Sequence, residues 1–155
     1  MFDDIVRDPE VKIQPFRHIH PYMADLREFE REYLRIADWK DRLRSYEMTG
    51  NAYTAMVGKK IACCFGYVDL WPGVAEAWMM TTDHVNTKPV SLTRAASRYF
   101  DHIATRSALH RIQITVNGRH DIALRWASAL KFTQEGVLRQ YGHDRTDYII
   151  FARYY

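Results

Sequence analysis

Val74-Ala75-Glu76-Ala77-Trp78-Met79-Met80-Thr81-Thr82 has the apolar and aromatic character of a strand, and the segments on its C-terminal side decide the architecture. Asp83-His84-Val85-Asn86-Thr87-Lys88-Pro89 is a polar loop. Behind it Leu92, Ala95, Ala96, Tyr99, Phe100 and Ile103 recur at helical spacing. Ile112-Gln113-Ile114-Thr115-Val116 is then a β-branched strand, stopped by Asn117-Gly118. A strand, a helix and a second strand in that order predict a crossover that joins two parallel strands. Beyond the carboxyl ends of such strands, the free N–H groups at the start of the helix offer a site to an anion such as a pyrophosphate.

Upstream, Val11-Lys12-Ile13-Gln14-Pro15-Phe16 alternates as a short strand does, with Pro15 placing its end at a sheet edge. Pro21 opens a helix in which Tyr22, Leu26, Phe29 and Tyr33 form one apolar stripe, and Trp39, Leu43 and Tyr46 repeat the spacing in a shorter one. The acids and arginines between them form a solvated face. Ala52 to Val57, Ile61 to Leu70 and Val74 to Thr82 make an antiparallel meander around Val57-Gly58-Lys59-Lys60 and Trp71-Pro72-Gly73. Downstream, a helix from about His120 to Lys131 precedes two strands, about Thr133 to Tyr141 and Tyr148 to Tyr154. The expectation is an α/β (α+β) chain with a mixed, mostly antiparallel sheet of about seven strands and about four helices. Residues 1–10 are expected as a polar lead-in and residues 11–155 as a single domain.

Composition narrows the class. A chain of 155 residues, 47% hydrophobic and 26% charged, with seven glycines and five prolines, is neither disordered nor of low complexity. Its 22 basic and 19 acidic residues are interspersed, and the net charge of +3 makes nucleic acid an unlikely ligand. Cys63 and Cys64 are adjacent, so on a strand they point to opposite faces and do not pair. Small buried strand residues explain them. His18-x-His20 lacks a third ligand at metal spacing, so no metal is expected. The acidic start Met1-Phe2-Asp3-Asp4 has no apolar run behind it, so no signal peptide is expected, and no apolar run is long enough for a membrane span.

The order of elements resembles the GNAT superfamily of acyl-CoA-dependent acyltransferases from about Val11 onward. The segments that carry the resemblance are Val74 to Thr82, the helix through Leu92-Thr93-Arg94-Ala95-Ala96, the strand Ile112 to Val116, and His120 to Phe132. More narrowly, the chain is similar to the degenerate GNAT-like proteins of tailed phages, including the internal virion proteins of short-tailed ones. There too a Trp-bearing strand ends in Thr-x-Asp-x-Val before a basic helix, as Trp78 and Thr81-Thr82-Asp83-His84-Val85 do here.

The resemblance implies acetyl-CoA as cofactor, bound by the strand end Met80, Thr81 and Thr82 and by the loop and helix start. In the superfamily that loop reads [Gln/Arg]-x-x-Gly-x-[Gly/Ala]; Asn86, Pro89 and Ser91 stand at those three positions. Pro89 has no N–H, so Thr87 and the first-turn amides of Ser91, Leu92 and Thr93 are left to face phosphate, with Lys88 and Arg94 adding charge. Thr87 or Ser91 capping an ordinary helix uses the same amides. Asn117 is placed to bond a pantetheine amide, or to close a plain Asn-Gly turn.

Transfer of the acyl group to an amine needs backbone amides of Met80 or Thr81 at the thioester carbonyl and a base for the amine. Glu76 lies on the strand that carries the base in many relatives, and is otherwise an outward-facing strand residue. His120 and His84 are the other titratable groups. Ala127 stands where the superfamily has a tyrosine that protonates the departing thiolate, and it has no proton to give. The function implied is an acetyl-CoA-dependent N-acetyltransferase of phage type acting on an unidentified amine. The alternative is a catalytically inactive virion or host-interaction protein that keeps the fold. Its expected location is host cytoplasm or virion, and its partner an amine substrate or a virion or host protein.

Overall fold

The computed structural model describes residues 1–36 and 38–155. In chain order the elements are α1 (Phe2–Ile5), β1 (Val11–Pro15), α2 (His20–Met23), α3 (Glu28–Arg31), a 3-10 turn (Glu32–Arg35) and α4 (Trp39–Thr49). Next come β2 (Ala52–Val57), β3 (Lys60–Trp71), β4 (Val74–Thr81) and a second 3-10 turn (Asp83–Thr87). The chain continues through α5 (Pro89–Arg106), β5 (Arg111–Asn117), α6 (Asp121–Ala129), β6 (Thr133–Leu138) and β7 (Tyr148–Tyr154). The seven strands form one sheet in the order β1-β2-β3-β4-β5-β7-β6. β4 and β5 pair in parallel, Val74↔Arg111 to Glu76↔Gln113, as the crossover reading requires. The other described pairings are antiparallel.

Contacts divide the chain into two units, Met1–Val68 with Trp78–Ala95, and Asp69–Ala77 with Ala96–Tyr155. The division passes through β3, β4 and α5 rather than through a linker, so no change in composition marks it. In the first unit Phe16, Leu26, Leu43, Ala52, Cys64 and Met80 form the core, with Tyr33, Trp39, Tyr46 and Trp78 packed against it. Tyr46 stacks on Trp78 at 4.4 Å between ring centroids, and Phe16 meets the same indole edge-on at 5.4 Å.

Two expectations for this unit need correction. The lead-in is built into the fold: α1 places Phe2 against Tyr53 and Phe65 and buries Ile5, because two apolar side chains one turn apart cover the end of the sheet. The single helix from Pro21 to Tyr33 is also replaced. α2 ends at Met23, Leu26 forms an antiparallel bridge with Thr82, and the Arg27 N–H donates to the Thr81 carbonyl at 3.0 Å. Backbone groups committed to the end of β4 cannot also serve a helix. α4 behaves as expected and stops at Gly50, whose φ of 72° is the left-handed cap that glycine favours.

In the second unit β7 lies between β5 and β6, and Tyr99, Phe100, Ile103, Ile112, Phe132 and Phe151 are buried. Phe100 and Phe132 meet edge-to-face at 5.0 Å. β6 ends at Leu138, short of the expected Tyr141. Gln140 turns to a φ of 54°, and the Asp147 carboxylate holds its N–H at 2.8 Å. The turn before β4 depends on glycine: Gly73 has a φ of 84°, and a Cβ there would lie 2.3 Å from the His110 ring.

Candidate functional site

The carboxyl end of β4 and the head of α5 lie in the first unit and are held by groups from distant parts of the sequence. Thr82 is fully buried. Its hydroxyl donates to the Ile61 carbonyl at 2.8 Å, with the Ala62 carbonyl at 3.1 Å, and accepts the His84 N–H at 3.2 Å. Its own N–H goes to the Ala62 carbonyl. The Thr81 hydroxyl donates to Glu30, which is itself buried. Met80 is buried in the core cluster.

The Asp83–Thr87 turn is clamped by Arg27, which donates from Nε to Asp83 at 3.1 Å and from Nη2 to the Asn86 side-chain oxygen at 3.0 Å. Thr87 bonds back to the His84 carbonyl instead of capping α5. The Lys88 ammonium is paired with Asp8 at 3.4 Å and, more closely, with Glu10. Asp8 also takes a hydrogen bond from the Ser91 side chain. Its carboxyl is held below the ordinary range, first by the Glu10 N–H and then by Lys88 and Ser91, against the opposing effect of desolvation.

Leu92 donates to the Lys88 carbonyl in the first helical hydrogen bond, and the Thr93 hydroxyl bonds the Pro89 carbonyl. Among the described residues the Val90 and Ser91 N–H groups have no backbone acceptor, and Arg94 is exposed. The structure therefore assembles Met80, Thr81, Thr82, Asn86, Thr87, Lys88, Ser91, Leu92, Thr93 and Arg94 along one strand end, turn and helix head. A carboxylate of the chain itself stands among the donors.

Glu76, His120 and Asn117 belong to the second unit. Glu76 is half-buried, and its Oε2 accepts from the Gln113 side-chain amide at 2.9 Å. His120 is buried as the N-cap of α6, where Nδ1 accepts the Ala123 N–H, leaving the ring proton of the neutral form on Nε2. Asn117 accepts the Arg119 N–H at 2.9 Å and so closes its turn. Ala127 is buried.

Several polar groups had no local signal in the sequence. Arg27 reaches Asp83 across 56 residues, and the partners of Lys88 come from the N-terminal segment. His18 and Glu47 form a dyad at 2.6 Å; the same carboxylate takes the His18 N–H, while Arg17 binds its second oxygen. His20 turns its Nδ1 to the Arg17 N–H and to Thr54, and burial pushes its pKa down. The two imidazoles thus have separate partners, and no group of three metal-ligating side chains occurs among the described residues. Cys63 and Cys64 are both buried, and burial raises both thiols, Cys64 to about 12. No described helix is long and apolar enough to cross a membrane.

No protein-family model and no curated protein matches the chain. Solved structures do match. RimL, a ribosomal L7/L12 α-N-protein acetyltransferase in complex with coenzyme A, superposes at a TM-score of 0.73 with 15% identity over 97% of each chain. Microcin C7 self-immunity acetyltransferase, solved with acetyl-CoA and AMP, gives 0.70 at 14% identity over 96% of this chain and 94% of that one. A GNAT-family acetyltransferase from Bacillus anthracis gives 0.68 at 13% over 96% and 97%. Likeness at such identities is one of architecture, and with its parallel β4–β5 pair joined through α5 this chain has the fold of the GNAT acetyltransferases.

Proposed function

We propose that the protein is an acetyl-CoA-dependent N-acetyltransferase. The observation that carries this reading is the parallel β4–β5 pair with the α5 crossover between its strands, in a fold whose solved neighbours include complexes with acetyl-CoA and coenzyme A. The donor set at the head of α5 suits an anion, because Ser91 and Lys88 already serve the Asp8 carboxylate and the Val90 and Ser91 N–H groups have no backbone acceptor. The Val90 and Ser91 N–H groups, with Lys88, Arg94 and Asn86, would hold the pyrophosphate, whereas the Leu92 N–H is given to the Lys88 carbonyl and the Thr93 and Thr87 hydroxyls to the Pro89 and His84 carbonyls. Met80 and Thr81 would serve the pantetheine arm through their backbone, while Thr82 is fully buried with its N–H and hydroxyl given to β3. The bound cofactor supplies an acetyl group activated as a thioester.

In this reading Glu76 would take the proton of the acceptor amine, whose nitrogen would displace the coenzyme A sulfur from the acetyl carbon; the sulfur would leave as a thiolate and take its proton from water, since Ala127 has none to give. Oε2 is committed to Gln113, and among the described residues Oε1 has no partner and is the atom left for that proton. His120 caps α6 and keeps that structural role. The acceptor class is a primary amine. The α-amino group of a protein is the first to try, since RimL and the ribosomal-protein-S5-alanine acetyltransferase from Vibrio fischeri are named for such targets.

The test is calorimetric titration with acetyl-CoA, followed by thiol release in the presence of spermidine, lysine and short peptides with free amino termini. Binding with release that depends on the amine supports the reading. No binding at millimolar cofactor sinks it.

A second reading is a phage virion or host-interaction protein that retains the fold without turnover. Two observations favour it: Lys88 is paired with Asp8 and Glu10, and Ala127 has no proton to donate. Under that reading the protein resides in the virion or host cytoplasm, and mass spectrometry of purified particles tests it.

A further inference from the structure

Glu76↔Gln113 is the last pair of the parallel ladder, and it joins side chains as well as backbones. Gln113 donates from Nε2 to Glu76 Oε2 at 2.9 Å, while its Oε1 accepts from Arg111 Nε at 3.2 Å. An arginine is a donor only, so the Gln113 oxygen must face Arg111 and its NH2 must face Glu76. The orientation of the amide is therefore set by its neighbours and is not free to flip.

Arg111 is fixed in turn by a two-pronged pair with Glu135, Nη1 to Oε2 at 3.0 Å and Nη2 to Oε1 at 2.5 Å. Tyr154, which pairs with Arg111 across β5 and β7, adds its hydroxyl to the same carboxylate. Glu135 lies where the register of β6 against β7 shifts, between Gln134 and Gly136. An irregularity of that kind re-aims a side chain. These residues come from four adjacent strands of the second unit and form one chain of donors and acceptors ending on Glu76.

We propose that Gln113, held by Arg111 and Glu135, is a positioning residue that fixes the Glu76 carboxylate for proton abstraction. The inference rests on the reading of Glu76 as base. Arg111 sets Gln113, Gln113 takes Oε2, and Oε1 is left in one orientation for the acceptor amine. A base held in this way keeps its reach through the reaction, and displacing a reacting group by about 1 Å costs on the order of 100-fold in rate.

The experiment compares the wild-type chain with Glu76→Gln, Gln113→Met and Gln113→Glu, each first checked for cooperative thermal unfolding. Rates of thiol release are measured with acetyl-CoA and the best acceptor amine between pH 5 and 9. Glu76→Gln is expected to lower kcat by about 100-fold or more. Gln113→Met, close in length and without a donor, is expected to lower kcat by about 10- to 100-fold while KM for acetyl-CoA stays within about twofold. Gln113→Glu sets a second carboxylate against the first and is expected to move the acid limb of the kcat/KM profile to higher pH. If Glu76→Gln is inactive but both Gln113 variants keep the wild-type kcat and pH profile, the positioning role is overturned and the base assignment stands. If Glu76→Gln keeps full activity, or the wild-type protein acetylates no amine, the functional reading falls and this inference with it.

Discussion

The Lys88 ammonium lies 3.4 Å from the Asp8 carboxylate, at the turn where the crossover helix begins. Glu10 binds the same ammonium, and the two pairs raise the Lys88 pKa, the hydrogen bond that Lys88 donates to Glu10 contributing most. An incoming phosphate therefore competes with two carboxylates of the chain itself. The double variant Asp8→Asn, Glu10→Gln is expected to bind acetyl-CoA about two- to fivefold more tightly at low ionic strength, the range set by exposed ion pairs. The difference should narrow in about 1 M salt, where such charges are screened. Equal affinity of variant and parent at low salt would place the phosphates away from Lys88.

Glu135 gives a pH signature of the β5–β6–β7 network. Hydrogen bonds from Arg111, then from Tyr154, hold its carboxyl at about 2, far below its ordinary value of 4.5. A carboxylate depressed in the folded state stabilises it fully above the unfolded value, and that contribution is lost as pH falls from about 4.5 through about 2. Urea unfolding of the wild type and Glu135→Gln should therefore differ by a constant margin from pH 7 down to about 5 and converge toward pH 2. A margin that persists unchanged at pH 2 would mean that the charge of Glu135 contributes nothing.

Thr82 joins β3, the end of β4 and the turn before α5 through a single hydroxyl. Thr82→Val keeps the shape and leaves the His84 N–H without its acceptor, at an expected cost of about 1–3 kcal/mol. Amide exchange at His84 should quicken more than exchange across β2. A loss of stability within about 0.5 kcal/mol would be that of an ordinary surface change and would show that the bond does not hold the turn.

The architecture was legible where the pattern is local. Alternating apolar residues, Gly58 and Gly73 at turns and the helical stripe ending at Ile103 marked β2 to β5 within a residue or two, and with them the parallel crossover. The pattern failed at Leu26, which fits the helical stripe but pairs its backbone with Thr82, a contact across 56 residues that no local period records. The proposed site is legible in the sequence as candidate residues and not as partners. Glu76 reads as a strand residue and Lys88 as part of the loop before α5, whereas Gln113, Asp8 and Glu10 reach them only through sheet order and the docking of the N-terminal segment.

Cys63 and Cys64 bear on the test of the proposed activity, since released coenzyme A is commonly measured as a free thiol. Adjacent residues on β3 point to opposite faces of the sheet, and both side chains are buried there. Burial raises both thiols, and at about 12 for Cys64 almost none is thiolate at neutral pH, even though the Thr54 hydroxyl at 3.7 Å opposes the rise. Native protein mixed with 5,5′-dithiobis(2-nitrobenzoic acid) at pH 7.5 should show no burst, and both thiols should react only as the chain unfolds in denaturant, with rates that follow the unfolding transition. Labelling of either cysteine within minutes in native buffer would show that β3 opens locally.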